Sequence, residues 1–158
     1  MQQIQVIPIL SPADYQAGSQ DTDSIDTTGL HRLDFVINFG AITGNDSTFK
    51  LYSGATNASK DTELPFKYRL SAADHQATLA DTYGAYTSVA IGSNGLILTD
   101  ASGYNNRTVV IEFMCDQMTD GEEFITMSTD DGSASVLFFD VIAIGYPRHS
   151  YAVGQTHL

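Results

Sequence analysis

The chain has 158 residues, 42% of them hydrophobic, with a mean hydropathy of -0.09; one globular domain burying roughly two thirds of its unfolded surface is the expectation. Nineteen acidic residues against seven basic ones give a formal net charge of -12 and a pI near 4.3, which argues against a nucleic-acid partner, since that binding relies on Lys and Arg displacing phosphate counterions. No run approaches the roughly 18 apolar residues of a membrane-spanning helix, the opening MQQIQVIPILSP lacks the basic region and cleavage signal of a signal peptide, and the single cysteine, Cys115, excludes an internal disulfide.

Residues 1–28 differ in composition from the rest. The apolar IQVIPIL is followed by SPADYQAGSQDTDSIDTTG, rich in small and acidic residues. This reads as an extended arm leading to a domain at 29–148, with a tail at 149–158. A contiguous apolar segment finds a covering surface. Two coverings fit: the arm adds a strand to a neighbouring subunit or lies on a larger surface by main-chain pairing, or it covers the edge of its own domain. On the first reading, removal of residues 1–12 leaves the domain folded.

The first clear strand is Leu33 to Phe39, where Leu33, Phe35, Ile37 and Phe39 share one face and Asp34, Val36 and Asn38 the other. Gly40 and GNDS at 44–47 punctuate it, and TFKLY at 48–52 resumes the alternation. LPFKYRL at 64–70 puts Phe66, Tyr68 and Leu70 opposite Lys67 and Arg69, and Pro65 at its start points to an edge position. The stretch at 72–80 reads as two helical turns or an ordered loop. Short strands follow at 87–91 and 95–99, linked by the turn dipeptide Asn94-Gly95. Then come Arg107–Cys115, Glu123–Ser128 and an apolar run from Ser133 to Arg148, read as a central strand that Pro147 ends. Asp140 marks its less buried face.

About eight strands with turn signals between them, and no helical pattern separating them, point to an all-β protein: an antiparallel β-sandwich, jelly-roll-like. An immunoglobulin-like order is disfavoured by the absence of a Cys pair and of Trp.

Candidate chemistry is weak. His31, His75, His149 and His157 show no metal-ligand spacing. Asp21, Asp23 and Asp26 fail the EF-hand register, because Ile25 and Asp26 stand where a ligand and a glycine are required. Asp120 and the Asp130-Asp131-Gly132 turn are explained by turn chemistry. Cys115 lies in an apolar alternation that suits a packed thiol, and Glu122-Glu123 are adjacent, so a strand would turn them to opposite faces. The sequons at Asn45, Asn57 and Asn106 read as chance matches. No enzymatic activity, cofactor or metal is expected.

The pieces DTTG at 26–29, FKYR at 66–69, DTYGA at 81–85, TDG at 119–121 and GYPR at 145–148 occur in one order. In that order and at this length the chain resembles a group of tailed-bacteriophage virion proteins taken to be capsid decoration, or cement, proteins. Tyr83 stands where that group usually has Trp. The resemblance implies a subunit made in the host cytoplasm that binds the major capsid protein on the outside of the virion. It also implies a homo-oligomer, a trimer being favoured, with no nucleic-acid or membrane partner. The residues expected at its interfaces are Ile4, Val6, Ile7, Ile9, Leu10 and Tyr15 of the arm, together with Tyr83, Tyr146 and Tyr151. Another virion component (tail, collar or fibre module) and, less readily, a carbohydrate-binding module are the competing functions.

Overall fold

The computed structural model describes residues 4–15, 18–43, 47–73, 82–98, 103–131 and 136–148. His75, His149, His157, Tyr151, Asn45 and most of 72–80 lie outside these residues, as do the side chains of Asp130 and Asp131. Two antiparallel sheets pack face to face as a β-sandwich, built among the described residues from twelve strands rather than about eight.

The strands are β1 (Gln5–Asp14), β2 (Gly18–Asp21), β3 (Ile25–Asp26), β4 (Leu30–Thr43), β5 (Ser47–Gly54), β6 (Thr62–Leu64) and β7 (Phe66–Leu70). They continue with β8 (Thr87–Val89), β9 (Leu96–Leu98), β10 (Thr108–Met114), β11 (Phe124–Asp131) and β12 (Val136–Pro147). One sheet has the order β1-β12-β4-β10-β7-β8, and the other β2-β11-β5-β6, with β3 on β11 and β9 on β5. The pairing is nested: β1 with β12, β2 with β11, β4 with β10, and β5 with β6. That is the rolled hairpin of a jelly roll, with β7 and β8 extending the first sheet beyond β10.

The N-terminal segment is therefore not an arm outside the domain. Residues 5–14 form the edge strand of the chain's own sheet, and β2 and β3 belong to the other sheet, so the sandwich begins near Gln5 rather than at residue 29. Of the two coverings, the chain's own edge is the one observed. Pro8 and Pro12 fit there because an edge strand needs only one side of its backbone for pairing, and irregularities after Pro8 and Leu10 bend the strand.

Pro65 has a different role from the one expected. β7 lies inside the first sheet, between β10 and β8, while β6 edges the second. Pro65 occupies the single residue between them, at the corner where the chain changes sheets. Asn94-Gly95 likewise closes no hairpin, because β8 pairs with β7 and β9 with β5 in the opposite sheet. Gly95 has a φ of +77°, and a Cβ there would run into the Phe49 carbonyl, so only glycine fits this crossing.

The inward residues of both sheets form one core. Phe35, Phe39, Phe49, Phe113 and Phe139 are fully buried. The Phe49 and Phe139 rings meet edge to face at 5.3 Å, Phe39 and Phe49 at 5.7 Å, and Tyr15 tilts against Phe139 at 4.8 Å. On β12, Leu137, Phe139, Val141 and Ala143 point into this core, which turns Phe138, Asp140, Ile142, Ile144 and Tyr146 outward.

Candidate functional site

The two outer faces of the sandwich differ in kind. On the second sheet the outward residues of β5 are Thr48, Lys50 and Tyr52, and the ion pairs Lys50–Glu63 at 3.3 Å and Lys60–Asp21 at 2.8 Å lie over it. This is an ordinary solvated surface. On the first sheet the ladder aligns Pro8, Ile142, Val36, Val110 and Arg69 in one row across β1, β12, β4, β10 and β7. The next row is Val6, Ile144, Asp34, Glu112 and Lys67. Six apolar residues thus adjoin on the side facing away from the core. Val6 is 65% exposed, and Ile4, preceding the same strand, 51%.

A polar ribbon runs beside this patch. Arg32 clasps Asp34 with two hydrogen bonds, Nε to Oδ1 at 2.8 Å and Nη2 to Oδ2 at 2.5 Å, and lies 3.4 Å from Glu112. Its guanidinium sits 4.6 Å from the centre of the Tyr146 ring, and the Asp34 hydrogen bond holds its pKa above the ordinary arginine value. Burial raises the Tyr146 pKa, and Asp34 adds to the effect. Tyr86 Oη donates to Glu112 at 3.2 Å. Arg69 stacks on Tyr83 at 4.8 Å and on Tyr86 at 5.2 Å. The ribbon thus runs Tyr146, Arg32, Asp34, Glu112, Tyr86, Arg69, Tyr83. On this face Arg32, Lys67 and Arg69 stand against Asp34, Glu112, Asp140 and Asp14, which pairs opposite Phe138, so the face is nearly neutral in a chain of net charge -12.

The structure divides the residues expected at interfaces. It brings Ile4, Val6, Tyr83 and Tyr146 to this one face. Ile9 points the other way into the core at 4% exposure, and Ile7, Leu10 and Tyr15 are partly buried against that core. Tyr15 is further tied by its hydroxyl to the Ser11 carbonyl at 2.6 Å. These four are packing residues of β1 and its end, because the strand that carries them is claimed by β12. Val36, Val110, Ile142 and Ile144 are what reading along the chain overlooks. The signal for them is that β12 is apolar at successive positions, as a strand covered on both faces is.

The motif pieces converge at two places. Residues 26–29, 119–121 and 145–148 meet at one end of the sandwich, where Arg148 N donates to Gly29 O at 2.7 Å and Arg148 Nε to Leu30 O at 2.9 Å. Thr27 donates to the Glu123 carbonyl through both N and Oγ1 at 2.8 Å, and Gly121 turns the chain at a φ of +86°. Glu122, in the wall of the groove formed there, accepts from Thr62 Oγ1 at 2.8 Å and from Ser53 Oγ. This cluster ties turns together. The other two pieces, 66–69 and residues 82–85 of the second, meet on the ribbon through Arg69 and Tyr83.

Three of the remaining polar candidates have structural partners. Asp21 pairs with Lys60, Asp26 accepts from Thr28 N at 2.8 Å, and His31 Nδ1 lies 3.0 Å from the Pro147 carbonyl. Among the described residues no group of three or more His, Cys, Asp or Glu is placed to hold a metal ion. Cys115 is buried, which pushes its thiol pKa up to about 11. No helix of the described residues is long and apolar enough to cross a membrane. No protein-family model matches the chain, and no curated protein matches it in sequence.

Proposed function

We propose that this chain is a virion structural protein that binds the outer surface of a bacteriophage capsid and stabilises the head. The observation that carries the reading is the outer face of the first sheet. Val6, Pro8, Val36, Val110, Ile142 and Ile144 form its apolar centre, and Arg and Tyr side chains border it. An apolar centre depleted of charge, with arginine and tyrosine beside it, is the anatomy of a protein–protein interface.

Charge supports the same reading. The nearly neutral face is where another acidic subunit approaches with little repulsion, while the acidic remainder keeps the protein away from packaged DNA. The order of motif pieces, which resembles that of capsid decoration proteins, supplies the identity of the surface: the major capsid protein, with copies of this chain as neighbours and a trimer as the favoured oligomer.

The test is to mix purified protein with heads that lack it and measure bound copies by quantitative gel and electron microscopy. Saturation near the copy number of the major capsid protein, on the outside of the shell, is the expected result. A copy number of a few per particle assigns the chain to a tail, collar or fibre instead, and no association at all overturns the reading. Ile144→Glu, which places a charge in the apolar rows, is expected to keep the fold and lose saturation.

A further inference from the structure

Lys67 and Arg69 stand two residues apart on the outward side of β7, and among the described residues neither forms an ion pair. Among the described residues the ion pairs use Arg32, Lys50 and Lys60, while Arg107 and Arg148 donate to backbone carbonyls. Arg69 instead lies over two tyrosine rings, Tyr83 and Tyr86, which are 37% and 45% exposed. Its Nε is buried and has no hydrogen-bond partner. In a protein with nineteen acidic residues and seven basic ones, an arginine stacked on tyrosine and without an acid among the described residues is unusual.

We infer that Arg69, steadied by Tyr83 and Tyr86, receives a carboxylate from an extended acidic segment of the protein partner, with Lys67 taking a second one. The inference rests on the reading of this face as an assembly surface and names the chemistry that one end of it recognises. Three features argue for that occupant. A guanidinium presents a planar fork that matches a carboxylate, and stacking fixes the plane of the fork before the partner arrives. Residues two apart on a strand lie about 7 Å apart on the same side, which is the spacing of alternate side chains on an extended segment. Beside Lys67 a groove lined by Pro65, Phe66, Ser88, Val89 and Met114 has room for an apolar side chain of that segment.

Glu112 also faces this groove, but its carboxylate is taken by Arg32 and by the Tyr86 hydroxyl. A long polyanion such as DNA is excluded by the acidic remainder of the chain, whereas a short segment meets only the local cations.

The experiment uses the full chain and two synthetic nonapeptides with one apolar frame, carrying Glu at alternate positions in one and Gln in the other. Binding is followed by chemical-shift perturbation and calorimetry at two salt concentrations. The Glu peptide is expected to bind about tenfold more tightly than the Gln peptide, with the difference shrinking at high salt. Arg69→Gln abolishes that preference. Lys67→Gln, at an exposed position where folding is not at stake, reduces it about threefold. Equal affinity for both peptides, no binding of either, or a Glu preference that survives Arg69→Gln overturns the inference. The peptide assay contains no heads, so its outcome and that of the head-binding assay fall separately.

Discussion

Val6, near the start of the chain, lies directly opposite Ile144, near its end, in the ladder between β1 and β12. The pairing joins the first strand to the last and makes the N-terminal segment part of the domain's structure. Removing residues 1–12 strips β12 of its edge partner, takes Ile9 out of the core and uncovers an open strand edge. The truncated chain is expected to unfold at a clearly lower urea concentration than the full chain and to self-associate. Ile9→Ala alone is expected to cost about 2–4 kcal/mol. Superimposable urea curves for the full and truncated chains would show that β1 contributes nothing to the fold.

Arg32 and Asp34 form the second structural dependence. Asp34 is 5% exposed although it lies on an outer face, because Arg32 and the Tyr146 ring cover it. Deleting the arginine leaves a buried carboxylate without its counter-charge, a larger penalty than the pair's net worth. Arg32→Ala is expected to destabilise by about 3 kcal/mol, and the double variant Arg32→Ala with Asp34→Ala by clearly less than the two single changes added. Additive losses in equilibrium unfolding would mean that the two side chains act independently.

Strands that alternate are legible along the chain, and those that do not are hidden. Leu33, Phe35, Ile37 and Phe39 announce β4 because one side of each residue pair is apolar, and Phe66, Tyr68 and Leu70 announce β7 for the same reason. β1 carries two prolines and β2 is polar, so neither shows a period, and only pairing with β12 and β11 makes strands of them. Tyr83 and Tyr146 stand out as aromatic residues near turns, and both reach the outer face. Their arginine partners are less apparent, since Arg69 is distant in sequence from Tyr86, and Arg32 from Tyr146. The apolar rows are hidden for the same reason: Pro8, Ile142, Val36 and Val110 become neighbours only once the strand order is known.

The last strand offers an internal comparison between adjacent phenylalanines. Phe139 is fully buried between Phe39, Phe49 and Tyr15, while Phe138 is 42% exposed on the other face. Phe139→Ala is expected to destabilise by about 4 kcal/mol and Phe138→Ala by less than about 1 kcal/mol. Equal losses in urea unfolding would contradict the facing of β12, and with it the assignment of Ile142 and Ile144 to the outside.

Cys115 supplies a prediction for alkaline pH. Burial holds the folded thiol at about 11 against an ordinary value of 9.0, with the nearby Arg148 opposing the shift and Asp116 adding to it. Between about 9 and about 11 the unfolded chain therefore releases this proton while the folded chain keeps it. The folded state binds more protons in that window, so the contribution of this thiol to stability falls as pH rises through it. Tyr15, Tyr86, Tyr104 and Tyr146 are raised by burial as well, so the wild-type slope includes their titration. Comparison with Cys115→Ala isolates the thiol: the stability advantage of the wild type is expected to narrow steadily from pH 8.5 to pH 11. Parallel curves for the two proteins would show that Cys115 titrates alike in both states, and rapid alkylation of the native protein at pH 8 would show that the thiol is not shielded by the 3-10 turn Cys115–Gln117 and the strands around it.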